Sequence, residues 1–235
     1  IEDAVIKQLS YSMPVSQVLM LIGCGGVLTF GVTAMLTQVN LFAPEVTKPW
    51  FVVRTVSELA SAIFFVIAIV YASLSVSSAI LQATPLAVSL AAAIFLKQHV
   101  SGRQWILITI GFVGVLMVIQ PGLDGFKPAA LFAIVGVMFL ALRDAITRAI
   151  SVSIPAVAVS FWAFFALLMA GVVTIPFFAD FSPLTLEHLS LLVVSTLAGT
   201  CAYFCVVMAT RCGDVAVVAP FRYTRLLFAL GLAEI

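Results

Sequence analysis

The sequence predicts an all-α integral membrane protein, a polytopic helical bundle with inverted five-helix repeats, and three observations carry that expectation. Apolar residues make up 63% of the 235-residue chain and charged residues only 9%, where a soluble domain carries roughly 25% charged side chains to meet water. The mean hydropathy is +1.25. The apolar residues gather in eight runs, each close to the roughly 20 residues that a helix needs to cross hydrocarbon. A short pattern also returns near an offset of 137 residues: Tyr71-Ala72 before Ser77-Ser78-Ala79 resembles Met208-Ala209 before Asp214-Val215-Ala216. An odd number of helices per unit turns the second unit over in the membrane, the arrangement of inverted-repeat transporters.

The runs fall at Val15–Leu36, Val53–Ser73, Ser78–Leu96, Gln104–Gln120, Ala129–Ile150, Ala156–Phe177, Leu189–Thr210 and Val215–Ile235. They are too long and too uniformly apolar for barrel strands, and open sheets leave backbone groups unsatisfied in lipid. Lys48, Arg54, Lys97, Arg103, Arg148 and Arg211 fall on one side of the membrane, Lys7 and Lys127 on the other. The first side is therefore expected to be cytoplasmic, with cytoplasmic loops at 37–52, 97–103, 151–155 and 211–214. A net charge of +1 gives no basis for a nucleic-acid partner. Cys24, Cys201, Cys205 and Cys212 form no CxxC pair and read as small apolar residues; no metal or cofactor is expected.

Ala83-Thr84-Pro85-Leu86, followed by Phe95-Leu96-Lys97, Arg103-Gln104-Trp105, Gly111-Phe112-Val113-Gly114-Val115 and Gln120-Pro121-Gly122, is similar to the signature half of the EamA domain of the drug/metabolite transporter superfamily. Ala219-Pro220-Phe221-Arg222-Tyr223-Thr224-Arg225-Leu226 resembles the matching helix of a second copy. The resemblance implies ten helices in two inverted halves around a cavity opened to each side in turn. It places a first repeat at 1–122 and a second at 129–235, in a chain expected to lack most of the first helix and the whole of the last. Where the family commonly closes each half with Gly-Glu, this chain has Lys97-Gln98 after Leu96, and ends Gly231-Leu232-Ala233-Glu234-Ile235.

Ionisable residues inside spans cost a few kcal/mol to insert and so mark candidate sites. Arg222 and Arg225 sit about 12 and 16 Å into the last run at 1.5 Å per residue. Their i,i+3 spacing places both on one helix face, flanked by Tyr223; this face suits an anionic or zwitterionic substrate, or a structural pairing with a buried carboxylate. Asp144 and Arg143 lie in the inner half of Ala129–Ile150, with Arg148 one turn on as an orientation anchor. Asp144 can pair with Arg148 or Arg225, or take part in proton coupling. Glu58 stands one turn from Arg54, a local ion pair or a proton site. Gln82 and Thr84 are placed mid-span with Pro85, whose missing N–H frees a carbonyl near residue 81; Pro220 would do the same in the repeat-related helix. Tyr203 is expected to line a cavity, and Trp162 to pack or to stack on a ligand. Trp50 and Trp105 read as interfacial, His99 and His188 as loop residues. Gly23, Gly25, Gly26 and Gly31, and Gly111 with Gly114, read as close helix contacts.

A secondary transporter of small organic metabolites (amino-acid-like, nucleoside-like, vitamin or drug) fits these features, its partners being a small-molecule substrate, the bilayer of the inner membrane, and a proton or an exchange metabolite. An intramembrane enzyme would need a buried Ser–His pair, paired Asp residues or HExxH, none of which the runs contain. A passive channel would need a carbonyl filter or a ring of charge. With no nucleotide-binding loop, the drive is expected to be a gradient.

Overall fold

The computed structural model describes residues 8–9, 11–71, 77, 80–81, 83–95, 102–119, 128–150, 153–178 and 181–212. Within these the chain forms α1 (Val15–Leu36), a short 3-10 turn (Pro44–Thr47), α2 (Pro49–Tyr71), α3 (Thr84–Phe95), α4 (Gly102–Ile119), α5 (Ala130–Ala149), α6 (Ala156–Phe178) and α7 (Leu186–Cys212). Among the described residues, the five helices α1, α2, α5, α6 and α7 are long and apolar enough to cross a membrane. The chain is thus a multi-pass helical membrane protein. The run expected at Val215–Ile235, with Pro220, Arg222, Tyr223 and Arg225, lies outside the described residues, as does Gln82.

The apolar faces turned outward carry Leu28, Val32, Met35 and Leu36 on α1 and Leu189, Val193, Val194 and Leu197 on α7. Such continuous exposed apolar stripes suit hydrocarbon rather than water. Cys24, Cys201 and Cys205 lie on exposed positions as free thiols.

Helix α1 packs on α6 and α7, α2 on α5 and α6, and α3 on α5 and α4. The α1–α6 crossing depends on glycine. A Cβ on Gly23 would come within 2.5 Å of the Leu168 backbone nitrogen, and one on Gly171 within 2.5 Å of that of Met20. Gly26 lies under the Phe164 ring and Gly25 against Thr196. With no hydrophobic drive between helices in lipid, such close backbone approach supplies the packing energy. Gly31 has only ordinary contact, 3.8 Å from Phe161, and Gly114 faces open space among the described residues, so the close contacts expected at those two glycines are not part of the described packing.

Several boundaries move from those expected, each for a local reason. Helix α1 ends where Gln38 takes a left-handed φ of 54°. There the Val39 N–H reaches back to Ala34 O at 2.9 Å and the Gln38 N–H to Met35 O at 3.4 Å, which satisfies the terminal carbonyls. Pro49 then opens α2, four residues earlier than the apolar run, because a first-turn proline gives up no helical hydrogen bond. Pro85 acts in the same way. The expected continuous span Ser78–Leu96 is interrupted by a turn at Ala83, and Pro85 becomes the second residue of α3 rather than a mid-helix kink. The Leu81 carbonyl that proline was expected to free accepts instead from the Thr84 hydroxyl. Helix α7 starts at Leu186, so His188 is in its first turn rather than in a loop, bonded through Nε2 to Ser12 Oγ at 3.0 Å.

Candidate functional site

Polar residues on α2 recur as Arg54, Ser57, Glu58 and Ser61, one stripe at i, i+3, i+4 and i+7. In an otherwise apolar helix such a stripe has to turn away from lipid. It does: Arg54 is fully buried, and Ser57 and Ser61 are buried. The stripe faces α5, where Gly136 lets the helices approach, its Cβ position 3.4 Å from Ser61 O. From α5 come Arg143, Asp144 and Thr147, all buried. From α7 comes Tyr203.

Arg54, Glu58, Arg143, Asp144, Thr147 and Tyr203 form one network. Glu58 is its hub. Its Oε2 accepts from Arg54 Nη2 at 3.1 Å and from the Tyr203 hydroxyl at 2.7 Å, and its Oε1 accepts from Arg143 Nη1 at 2.6 Å. Tyr203 itself accepts from Arg54 Nη2 and, at 3.4 Å, from Arg143 Nη1. The Arg143 guanidinium carbon also sits 5.6 Å from the centre of the Tyr203 ring, within cation–π range. Arg143 is then filled by Asp144, whose Oδ1 takes Nη2 at 2.7 Å and Nε at 2.9 Å. Arg54 Nε donates to Thr147 Oγ1 at 3.3 Å, and the Thr147 hydroxyl in turn donates to Arg143 O at 2.7 Å.

Two guanidinium groups and two carboxylates balance in charge. Charges taken out of water need partners and further hydrogen bonds to offset their desolvation, and here nearly every donor has one. The exception among the described residues is Arg54 Nη1, which is buried and bonded to nothing. Glu58 is the most open charged member, its side chain 13% exposed.

Of the expected site residues, the structure brings Glu58, Asp144, Arg143 and Tyr203 together. The Arg54–Glu58 pair forms but is one edge of a three-helix network rather than a local surface pair. Trp162 packs against the same core as Tyr203, with its indole N–H given to Leu41 O at 3.0 Å and edge-on contacts to Phe42, Phe161 and Phe165. Thr84 is buried with its hydroxyl on Leu81 O. Trp50 and Trp105 are exposed. Two members were not singled out as site residues from sequence, Arg54 and Thr147; the signal that finds them is the polar stripe on each helix.

A bundle of membrane-length helices whose charges meet in its interior defines a polytopic membrane protein. The profile of the EamA-like transporter family matches residues 2–120, half of the chain. The chain belongs to the EamA-like transporter family. It is similar to S-adenosylmethionine uptake transporters of Rickettsia: 26% identical over 147 residues to that of Rickettsia bellii, 24% over 147 residues to that of Rickettsia felis and 23% over 148 residues to that of Rickettsia conorii. Each match takes in 62% of this chain and 49% of the relative, so the chain covers about half the length of these relatives. No solved structure matches it.

Proposed function

We propose that this chain belongs to a gradient-driven secondary transporter of small organic metabolites, with an S-adenosylmethionine-type compound as the leading substrate, working by alternating access. The observation that carries the reading is the neutral four-charge network joining α2, α5 and α7. Burying four charges costs stability that an apolar contact would not, and a network with several donors per acceptor can exchange partners as helices move. Glu58, the hub, is the carboxylate best placed to trade an arginine for a proton or for a cationic cargo. The names of the Rickettsia relatives support the substrate class, and the family match over 2–120 supports a first repeat at 1–122.

The rest of the reading follows the sequence. A second repeat at 129–235 is inverted on the first, eight spans in this chain belong to a ten-helix whole, and the Lys and Arg bias sets loops 37–52, 97–103, 151–155 and 211–214 in the cytoplasm of an inner-membrane protein. Arg222, Tyr223, Arg225 and Gln82 join Tyr203, Thr84 and Trp162 as substrate-facing candidates, with Pro220 and Pro85 at the helix breaks. The test is uptake of labelled S-adenosylmethionine into liposomes holding the full-length protein, with and without a proton gradient or internal unlabelled substrate. Saturable uptake that either drive accelerates is expected. Linear, unsaturated flux would overturn alternating access, and no flux would overturn the substrate.

A further inference from the structure

Arg54 differs from Arg143 in one respect that the network's own balance does not explain. Arg143 has every guanidinium nitrogen engaged, by Asp144, Glu58 and Tyr203. Arg54 gives Nε to Thr147 and Nη2 to Glu58 and Tyr203, and its Nη1, with two N–H donors, is buried without a partner. The residue is 0% exposed, so water does not take that place in this conformation. A buried, charged donor left unmade is costly. A protein keeps such a group where something else completes it.

Resting on the transporter reading above, we propose that Arg54 Nη1 holds the carboxylate of a substrate bearing an amino-acid head group. Three features fix the chemistry. The open donor belongs to a guanidinium whose Nη2 is already taken by Glu58 and Tyr203, so the two N–H groups of Nη1 remain to give charge-assisted hydrogen bonds to a carboxylate. Among the described residues the network holds two arginines and two carboxylates, so a bare anion would add negative charge in a low-dielectric place. A zwitterion avoids this, because its ammonium can go to the carboxylate beside Arg54. That carboxylate is Glu58, which shares Arg54 Nη2 and is the most open charged group of the cluster, 13% exposed. Arg54 and Glu58, one helical turn apart on α2, thus form a paired site for the two ends of an α-amino acid, with Thr147 positioning the guanidinium through Nε. In the described conformation the site is shut, as the buried state of an alternating carrier is.

The experiment compares two probes on the purified full-length protein: S-adenosylmethionine and its decarboxylated analogue, which lacks the carboxylate and keeps the ammonium, the sulfonium and the adenosine. Wild type is expected to bind S-adenosylmethionine about 10- to 100-fold more tightly, the range for charge-assisted hydrogen bonds. Arg54→Lys keeps the charge and loses the fork; it is expected to bring the two affinities within about threefold while still binding the decarboxylated probe, which shows that the variant is folded. If Arg54→Lys does not fold, Thr147→Val replaces it, with S-adenosylmethionine binding about three- to tenfold weaker and the decarboxylated probe unchanged. Equal binding of both probes by wild type overturns the Arg54 assignment alone, as does discrimination that survives in Arg54→Lys or Thr147→Val. Binding of neither probe overturns the substrate reading on which the assignment rests, and the assignment with it.

Discussion

Two helix contacts in this bundle are built on opposite principles. Where α1 crosses α6, Gly23 and Gly171 bring backbone against backbone, and Gly26 seats the Phe164 ring. Where α2 and α5 meet α7, the contact is four charges and two hydroxyl groups, with one acceptor, Glu58, shared among three donors. The first contact has one geometry, because the van der Waals wall is steep and a shift of half an ångström either clashes or opens a gap. The second has many, because a carboxylate with two oxygens can release one donor and hold another. A carrier needs both: an axis that stays together and a junction that rearranges.

The largest effect belongs to the polar junction. Glu58→Ala leaves Arg54, Arg143 and the Tyr203 hydroxyl facing one another without their common acceptor. Breaking a buried ion pair from one side costs about 3–5 kcal/mol, so thermal unfolding in detergent is expected to fall steeply. A small change would mean that the charges find other partners and that the hub is not Glu58. At the axis, Gly171→Val pushes a side chain onto the Met20 backbone, and overpacking of this kind costs about 1–3 kcal/mol. Its signature separates it from the first variant, since it should lower stability and transport in proportion, whereas a Glu58 variant should lose transport beyond its loss of stability. Tyr203→Phe removes one hydroxyl that both accepts and donates in the network, and about 1–2 kcal/mol of stability is expected to go with it. Gly114→Ala is the control, in open space by its local surroundings, and should shift stability by no more than about 0.5 kcal/mol. A large loss there would reveal a close neighbour on α4.

The sequence showed the helices more clearly than their facing. Long apolar runs with almost no charge can only be spans, and five of them are the membrane-length helices α1, α2, α5, α6 and α7. The i,i+4 spacing made the Arg54–Glu58 pair legible, and a place inside a span singled out Arg143, Asp144 and Tyr203. Their convergence was not legible. A polar stripe says which face turns away from lipid but not which neighbour it meets, so the partner of Asp144 could be read as Arg148, Arg225 or a proton. Adjacent residues on a helix point about 100° apart, yet a long guanidinium curls back, and Arg143 closes on Asp144 itself. Thr147 was passed over because a mid-helix threonine ordinarily spends its hydroxyl on the carbonyl one turn back. It does so here, donating to Arg143 O, while the same oxygen accepts from Arg54. Pro85 was misplaced for a different reason: an apolar run continues through a break without a change in composition, and only the hydrogen bonds at Ala83 and Leu81 reveal it.

We propose that the network around Glu58 carries transport and not merely folding. The most direct measurement is initial S-adenosylmethionine uptake by liposomes holding full-length wild type or Glu58→Gln, with the folded fraction of each measured alongside. Glutamine keeps the size and one acceptor oxygen, removes the charge, and puts an NH2 donor in place of the other oxygen. Uptake per folded molecule is expected to fall by about tenfold or more, the loss of roughly one charge-assisted hydrogen bond. Wild-type uptake in a well-folded Glu58→Gln protein would contradict the account and leave the cluster a structural feature of the bundle.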